Sequence, residues 1–265
     1  AGARFGRVLF DEATQATEPA ALVPLLKGCE ELVLLGDQKQ LPPITFCHKA
    51  RLLGLHESLF ERLVRLGLPH TLLRIQYRMH PALAVFPSNN FYSSLLSNGV
   101  QPEDRPAPRG FAWPNPSTPL CFEGVGTCSE QLEESMGTSK RNRREAARLA
   151  EIVAALIAAG DVRPEDIAVI TPYAAQLTAL RSALSRLFVS VVPATVDQFQ
   201  GMERDVVVCS AVRSSHSGVG FLSDRRRFNV LLTRARRGLI VLGHQQTLLS
   251  DPCWRDWLAH VTQLG

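Results

Sequence analysis

Several familiar motifs are missing from this 265-residue chain, and each absence removes a class of protein. Its six cysteines form no C-x-x-C pair and no cysteine–histidine cluster at zinc spacing, which argues against a structural zinc domain. No hydrophobic run reaches the length of a membrane span, so no membrane partner is expected. No stretch has the form G-x-x-x-x-G-K-[ST], the glycine-rich loop that cradles phosphates.

Lysine is scarce, and nearly all the basic residues are arginine. The net charge is +4, and 45% of the residues are hydrophobic. This composition predicts a globular protein of one large or two medium domains, mildly basic and compatible with nucleic acid. Scattered cysteines without a pairing pattern indicate reduced thiols, so we expect a cytoplasmic or nuclear protein.

Short apolar runs alternate with amphipathic stretches along the chain. The runs are continuous, which is typical of strands buried on both faces of a parallel sheet, and cover residues 8–10, 32–36, 166–171, 191–196, 205–212 and 238–243. Helical periodicity predicts helices over 57–67, 143–159, 173–187 and 251–264. The last helix begins at Asp251-Pro252, an N-cap followed by proline at the first helical position. This alternation predicts an α/β fold.

Residues 98–140 have a different composition. Six prolines are followed by several glycines and serines, which predicts a long loop with one strand at 119–123. The chain opens on alanine and its first strand follows almost at once, so we expect it to be a piece of a longer protein.

Polar side chains follow the first two apolar runs. Asp11 and Glu12 stand where parallel sheets bind ligands, at the carboxyl end of a strand. Asp11 suits a magnesium ion held through water, and Glu12 suits activation of a water molecule. Gln40, which follows the second run, is expected to project beside them. The alternative for Asp11 and Glu12 is an acidic helix N-cap, and the alternative for Gln40 is an ordinary polar turn.

An aromatic and a cationic side chain are adjacent in QYRMHP, residues 76–81. Tyr77 offers a flat face to a base and Arg78 a planar cation to a phosphate; a surface helix start is the alternative. Further on, Thr195 suits a backbone phosphate, and Glu203 suits a ribose hydroxyl. A polar connection between strands is the alternative there.

A basic run, RRRFNVLLTRARRG, covers residues 225–238. At helical spacing Phe228, Leu231, Leu232 and Ala235 lie near one face of a helix, and the arginines lie on other faces. Such a run is typical of a solvated face or a nucleic-acid patch. The alternative is that Arg234 points into a cleft as an arginine finger.

In their order, these stretches resemble motifs II to VI of superfamily 1 helicases, in the branch typified by the nonsense-mediated-decay helicase: DEATQ, GDQKQLPP, QYRMHP, TVDQFQGMERD and RRFNVLLTRAR. TPYAAQ at 171–176 also resembles that branch, within which the chain is most similar to the vertebrate helicase-with-zinc-finger proteins. The resemblance implies a RecA-like P-loop NTPase fold with parallel sheets and flanking helices. It implies one partial RecA-like domain at 1–72 and a nearly complete one at 73–265.

The resemblance also implies ATP between the two domains, with Mg²⁺, and a role for each matching residue. Asp11 is similar to the magnesium carboxylate, Glu12 to the catalytic base and Gln40 to the γ-phosphate sensor. Tyr77 is similar to the residue that stacks on adenine, and Glu203 to the one near the ribose. Those that match γ-phosphate arginines are Arg78 and Arg234. Those that match contacts to the nucleic-acid backbone are Thr171, Pro172 and Thr195.

In this family the phosphate loop lies upstream of DEAxQ, so the resemblance implies that an upstream part of the same chain carries it. The implied function is an ATP-hydrolysing helicase or translocase that moves on single-stranded nucleic acid, RNA favoured over DNA. A non-hydrolysing nucleic-acid or protein interaction module derived from a helicase is the alternative.

Overall fold

The computed structural model describes residues 3–127, 130–215 and 218–265, so Cys128 lies outside the described residues. The chain divides into two compact units, Ala1–Leu73 and Arg74–Gly265. Within the described ranges, no helix is long and apolar enough to cross a membrane.

The first unit contains a parallel pair of strands flanked by helices. Its elements are β1 (Arg7–Phe10), α1 (Glu18–Leu25), β2 (Glu31–Leu34), α2 (His48–Leu52) and α3 (Leu59–Arg65). Exposed and half-buried residues alternate along both strands, because two strands with few covering helices cannot enclose them. The complete burial predicted for these two runs is therefore wrong in this unit.

The second unit holds the larger sheet. Its strands are β3 (Ile75–Gln76), β4 (Ser97–Asn98), β5 (Leu120–Gly124), β6 (Glu134–Met136), β7 (Ser139–Arg141), β8 (Ile167–Thr171), β9 (Ala194–Thr195), β10 (Arg204–Ser210) and β11 (Ala235–Gly243). Its helices are α4 (Pro81–Phe91), α5 (Arg143–Ala158), α6 (Ala174–Arg186), α7 (Arg225–Leu232), α8 (Gln245–Leu248) and α9 (Pro252–Leu264).

Five of these strands form one parallel sheet in the order β5-β11-β10-β8-β9. On one face, α5 and α6 supply Leu149, Val153 and Leu180, which are fully buried against the even-numbered valines of β10. Because side chains alternate along a strand, Val207 and Cys209 face the opposite side. The predicted α/β fold with flanking helices is confirmed.

Aromatic packing holds the C-terminal helix in place. Trp254 lies 4.3 Å from Phe228 of α7, centroid to centroid, and Trp257 lies 6.3 Å from Phe122 of β5. The side chain of Asp251 accepts hydrogen bonds from the first two backbone N–H groups that follow Pro252, those of Cys253 and Trp254. The predicted cap is confirmed, and it fixes where α9 begins.

Three local predictions need correction. Residues 98–140 contain the strand predicted near 119–123, but also the β6–β7 hairpin, whose turn has Gly137 at φ +61°. The run 225–238 is helical only to Leu232, because β11 takes over from Ala235 and pairs with β10. Of the predicted strand 191–196, only Ala194–Thr195 is extended in the sheet.

The described cysteines are free thiols, as predicted. Three of them are buried, and burial raises the pKa of the Cys121 and Cys253 thiols to about 11. These thiols are protonated and unreactive near neutral pH, so they serve packing.

Candidate functional site

In the first unit, the two carboxylates occupy a sharp turn at the carboxyl end of β1. Glu12 adopts the left-handed conformation at φ +50°, an unusual backbone for a residue with a side chain. Oδ1 of Asp11 accepts a hydrogen bond from the Glu12 backbone N–H at 2.8 Å. Oε2 of Glu12 accepts one from Nε2 of Gln15, also at 2.8 Å. Both carboxylates are exposed, and a strained backbone at a ligand edge is typical of functional sites.

The turn after β2 lies at the same edge of this sheet. The backbone N–H of Ala13 donates to the carbonyl of Leu35, and a side chain at Gly36 would press on Thr14 at 3.0 Å. Nε2 of Gln40 donates to Oδ2 of Asp37 at 2.9 Å. The structure therefore brings the Asp11–Glu12 turn and the Gln40 turn to one edge, with the amide of Gln40 anchored to its own loop.

The donor set at this edge fits a magnesium ion in part. Mg²⁺ is bound in proteins through one or two carboxylates, the rest of its octahedron being water and substrate phosphate oxygens. Asp11 and Glu12 supply two such carboxylates on adjacent positions. The described residues contain no cluster of three or more potential metal ligands.

In the second unit, the QYRMHP segment forms a turn shaped by its own glutamine. Oε1 of Gln76 accepts hydrogen bonds from the backbone N–H groups of Arg78 and Met79, at 3.0 and 2.8 Å. Tyr77 is 64% exposed, so its ring is available to a ligand. The ring lies directly over Gly99, where any Cβ would collide with it.

Glu203 lies between two arginines. Its carboxylate pairs with Nε of Arg78 and accepts from Nε and Nη2 of Arg236 at 3.0 and 2.7 Å. Partial burial pushes the pKa of Glu203 up, but the hydrogen bond from Arg236 and the charge of Arg78 outweigh it and hold that pKa below its usual value. The group is therefore a carboxylate at neutral pH, in a position to accept hydrogen bonds from a ligand.

These side chains line one polar pocket of about 280 Å³. Its walls are Tyr77, Arg78, Asp104, Arg105, Glu203, Asp205, Arg236 and Arg237. Sequence reasoning found Tyr77, Arg78 and Glu203 and missed the rest. Arg105 could not be found from the basic run or a motif, because it lies in the Pro-rich segment; its guanidinium donates to the carbonyls of Tyr77 and Arg78, each at 3.0 Å.

Arg234 does not project into that pocket. It is 2% exposed, and its guanidinium donates to the carbonyls of Val230 and Met202, at 3.1 and 3.2 Å. The cause is the early end of α7, which turns the chain inward before β11. Because Arg234 is almost fully buried, a phosphate contact requires that its guanidinium become accessible.

The three residues matched to strand contacts lie at the carboxyl ends of β8 and β9. Thr171 and Thr195 are direct register partners in the sheet. Thr195 and Pro172 are half-buried, whereas Thr171 is fully buried, with its hydroxyl accepting from the backbone N–H of Tyr173 at 3.4 Å. Thr171 thus shapes the turn, and its neighbours present the surface.

The pocket residues and the residues matched to nucleic-acid contacts lie at opposite ends of the β-strands of the second unit. Glu203 and Arg236 lie at the amino ends of β10 and β11, and Thr171 and Thr195 at the carboxyl ends of β8 and β9. The seven residues of β10 separate the edges by about 20 Å at 3.3 Å per residue. One end forms a pocket for a small polar ligand, and the other forms an open rim made by Thr171, Pro172 and Thr195.

Comparison with known families decides the membership of the chain. Models described as AAA domain match residues 55–246 and 1–48. The chain belongs to the AAA domain family. Its α/β architecture also matches the structure of PRRSV helicase, with a TM-score of 0.50 and 17% identity over 92% of this chain and 36% of that one. At that identity the match concerns the fold, which is RecA-like.

Curated relatives of this AAA domain chain are regulators of nonsense transcripts and named helicases. It is 46% identical to the regulator of nonsense transcripts 1 homolog of Arabidopsis thaliana, over 97% of this chain and 21% of that protein. It is 42% identical to ATP-dependent helicase upf1 of Schizosaccharomyces pombe and to ATP-dependent helicase NAM7 of Saccharomyces cerevisiae, over 99% of this chain and 29% and 28% of theirs. The chain spans less than a third of the length of these relatives.

Proposed function

We propose that this chain is part of the core of an ATP-dependent helicase or translocase, which couples ATP hydrolysis to movement along single-stranded nucleic acid. The observation that carries the proposal is the pocket in which Tyr77, Arg78 and Glu203 meet. They come from segments 125 residues apart in sequence, and an aromatic face, a guanidinium and a carboxylate are what a base, a phosphate and a ribose need. RNA is favoured over DNA, since the names of several relatives refer to transcripts.

In this proposal the second unit recognises the nucleotide. Tyr77 stacks on the base, Glu203 accepts a hydrogen bond from a ribose hydroxyl, and Arg78 contacts the γ-phosphate. Arg234 contacts the γ-phosphate once its guanidinium, which lies against the carbonyls of Val230 and Met202, becomes accessible. Two guanidinium groups oppose the charge that develops on the transferred phosphoryl group.

The first unit supplies the groups that act on the attacking water. Glu12 accepts its proton, Gln40 orients it and senses the γ-phosphate, and Asp11 would hold Mg²⁺ through water. Bound Mg²⁺ supplies charge neutralisation on the phosphates. In the structure the amide of Gln40 donates to Asp37, which holds it at the strand end.

We further propose that an upstream segment of a longer parent chain carries the phosphate loop. The exposed apolar residues of the first sheet support this, since Leu9 is 69% and Val33 52% exposed. Parallel strands are found with both faces covered, so more polypeptide is needed over them. The similarity to helicase-with-zinc-finger proteins and a cytoplasmic or nuclear location belong to the same proposal.

The test is phosphate release from ATP, with and without single-stranded RNA, by this chain and by the parent chain. We expect RNA-stimulated release by the parent chain and none by the 265 residues alone, because the β- and γ-phosphates lack their cradle. RNA binding without release by the parent chain would overturn hydrolysis and favour a non-hydrolysing module. Stimulated release by the 265 residues would overturn the need for an upstream loop.

A further inference from the structure

Four polar side chains form a closed hydrogen-bonded ring inside the second unit. They are Asn142, Glu145, Gln176 and Ser210, and each is 0% exposed. Ser210 donates to Oε2 of Glu145 at 2.6 Å, and Nδ2 of Asn142 donates to Oε1 at 3.1 Å. Nε2 of Gln176 donates to Ser210 Oγ and to the Asn142 carbonyl, both at 2.9 Å. Burying so many polar groups is costly unless all are paired, and here they are.

The ring holds a strained turn at the end of β10. Val212 has φ +72°, and the backbone N–H of Arg213 donates to the carbonyl of Ala211 at 2.8 Å, which makes a γ-turn of the rare, strained hand. A β-branched residue in this conformation needs external support. Oε2 of Glu145 provides it by accepting from the backbone N–H of Val212 at 2.8 Å.

The strained turn directs Arg213 toward the rim at the carboxyl ends of β8 and β9, where the residues matched to nucleic-acid contacts lie. Nε of Arg213 donates to Glu133 at 2.9 Å, and the guanidinium also bonds the Tyr173 hydroxyl. Tyr173 follows Thr171 and Pro172 directly, and Gln176 of the ring lies in the first turn of the helix that follows. The ring therefore holds both sides of the Thr171–Tyr173 turn, through α6 and through Arg213.

We propose that Glu145 is a positioning residue for the strand-contact rim: it fixes the γ-turn at Val212 and the Thr171–Tyr173 turn relative to one another. This inference rests on the proposed function, and it places the single-stranded nucleic acid of that proposal at the rim formed by Thr171, Pro172 and Thr195. It adds a residue that does not contact the nucleic acid. It also gives Gln176, the glutamine of TPYAAQ, a role in holding the rim.

The hydrogen-bond pattern makes Glu145→Gln an unusually sharp variant. Oδ1 of Asn142 caps α5 by accepting from the N–H groups of Arg144 and Glu145, so the Asn142 amide cannot turn over without losing the cap. The new amide nitrogen must face either Nδ2 of Asn142 or the N–H of Val212, donor against donor. An isosteric change therefore breaks either the Asn142 bond of the ring or the Val212 bond that supports the γ-turn.

Protonation of Glu145 disturbs the ring less than the Glu145→Gln substitution does. Burial raises the pKa of Glu145 to about 7, partly offset by hydrogen bonds from Ser210 and the Val212 backbone. When Glu145 is protonated on Oε2, that group donates a hydrogen bond to Ser210 Oγ. Oε2 is then a weaker acceptor for the backbone N–H of Val212. The nearby titratable groups are Cys209 on β10, whose pKa burial raises, and Arg213 with Tyr173 beyond the turn.

The experiment measures affinity for a fluorescein-labelled single-stranded RNA by anisotropy at 15 °C. It compares the wild-type chain with Glu145→Gln and with Glu151→Gln, a matched control on the same helix whose side chain is 60% exposed. We expect affinity at pH 8 to fall at least fivefold in Glu145→Gln and less than twofold in Glu151→Gln. The wild-type advantage over Glu145→Gln should shrink toward pH 5.5, which a merely structural role would not produce.

A second variant separates the ring from general damage. Ser210→Ala removes the hydroxyl that links Glu145 to Gln176, so Ser210→Ala combined with Glu145→Gln should bind no more weakly than Glu145→Gln alone. Equal affinity of wild type and a folded Glu145→Gln variant would overturn the positioning role while the proposed function stands. Absence of RNA binding by the wild-type chain would overturn the strand rim, and this inference with it.

Discussion

Glu203 forms ion pairs with Arg78 and Arg236 at once, and so joins the QYRMHP turn to the first residues of β11. The backbone N–H of His80 strengthens this link by donating to the carbonyl of Arg236 at 2.7 Å. The carboxylate orders both guanidinium groups. In the proposed function, a ribose hydroxyl would therefore meet Glu203 in a site that is already oriented.

The first prediction concerns this carboxylate. Glu203→Gln removes the negative charge that holds Arg78, so nucleotide binding should weaken by about tenfold, the effect of ~1.4 kcal/mol. The measurement is KM for ATP in RNA-stimulated phosphate release by the parent chain. Glu165→Gln, at an exposed carboxylate that pairs with Arg163, is the control. An unchanged KM in Glu203→Gln would remove Glu203 from nucleotide recognition.

The second prediction concerns the space beneath the Tyr77 ring. Gly99→Ala places a methyl group where the ring now lies, so the ring must leave the position in which it lines the pocket. KM for ATP should rise as much as in Tyr77→Ala, and combining the two changes should add nothing. Gly6→Ala is the control, because a Cβ there meets no atom within 4 Å. Additive effects would show that Gly99 acts elsewhere.

The third prediction concerns Arg234. Arg234→Ala in the parent chain should lower ATP turnover at least ~10³-fold, as expected for an arginine that stabilises the transferred phosphoryl group, while strand binding is retained. Because Arg234 also bonds buried carbonyls, the variant should lose ~1–3 kcal/mol of stability, measured by urea unfolding. Arg234→Lys keeps the charge and separates the two effects. Full turnover in a folded Arg234→Ala variant would contradict the arginine-finger role.

The fourth prediction concerns stability and pH. The folded-state pKa of Glu145, about 7, is raised above its unfolded value, so between pH 4.5 and 7 the folded state binds a proton that the unfolded state lacks. The free energy of unfolding therefore falls as pH rises through this window, by about 3 kcal/mol. The described tryptophans all lie in the second unit, so their fluorescence reports its unfolding.

Urea unfolding at pH 5 and pH 8 tests the sign. Wild type should lose more stability than Glu145→Gln between these two conditions, and Glu151→Gln should follow wild type. The opposite order would mean that Glu145 is ionised and stabilising when buried.

The sequence predicted what local pattern determines. Continuous apolar runs located the central strands, and Asp251-Pro252 located the start of α9, because both signals lie within a few neighbouring residues. It also placed Asp11 and Glu12 at a strand end. Helical spacing could not locate the end of α7, because Ala235 suits the apolar face of a helix and a buried strand equally well.

Contacts between distant residues were beyond sequence reasoning. In the sequence, Glu145 is an ordinary acidic residue in the first turn of a predicted helix. Its carboxylate nevertheless accepts hydrogen bonds from Ser210 and Val212, 65 and 67 residues away. The sequence left Arg234 either on a solvated face or in a cleft, and neither alternative predicts that the carbonyls of Val230 and Met202 bury it. Such pairings arise from the tertiary fold, which places distant polar groups together.

The most direct test of hydrolysis is a single-turnover ATP assay of the parent chain with single-stranded RNA, in wild type and Glu12→Gln. If Glu12 accepts the proton of the attacking water, the variant should bind ATP and RNA normally and retain the ATP uncleaved. Cleavage by Glu12→Gln at the wild-type rate would remove Glu12 from the mechanism and contradict the assignment of this turn as a hydrolytic centre.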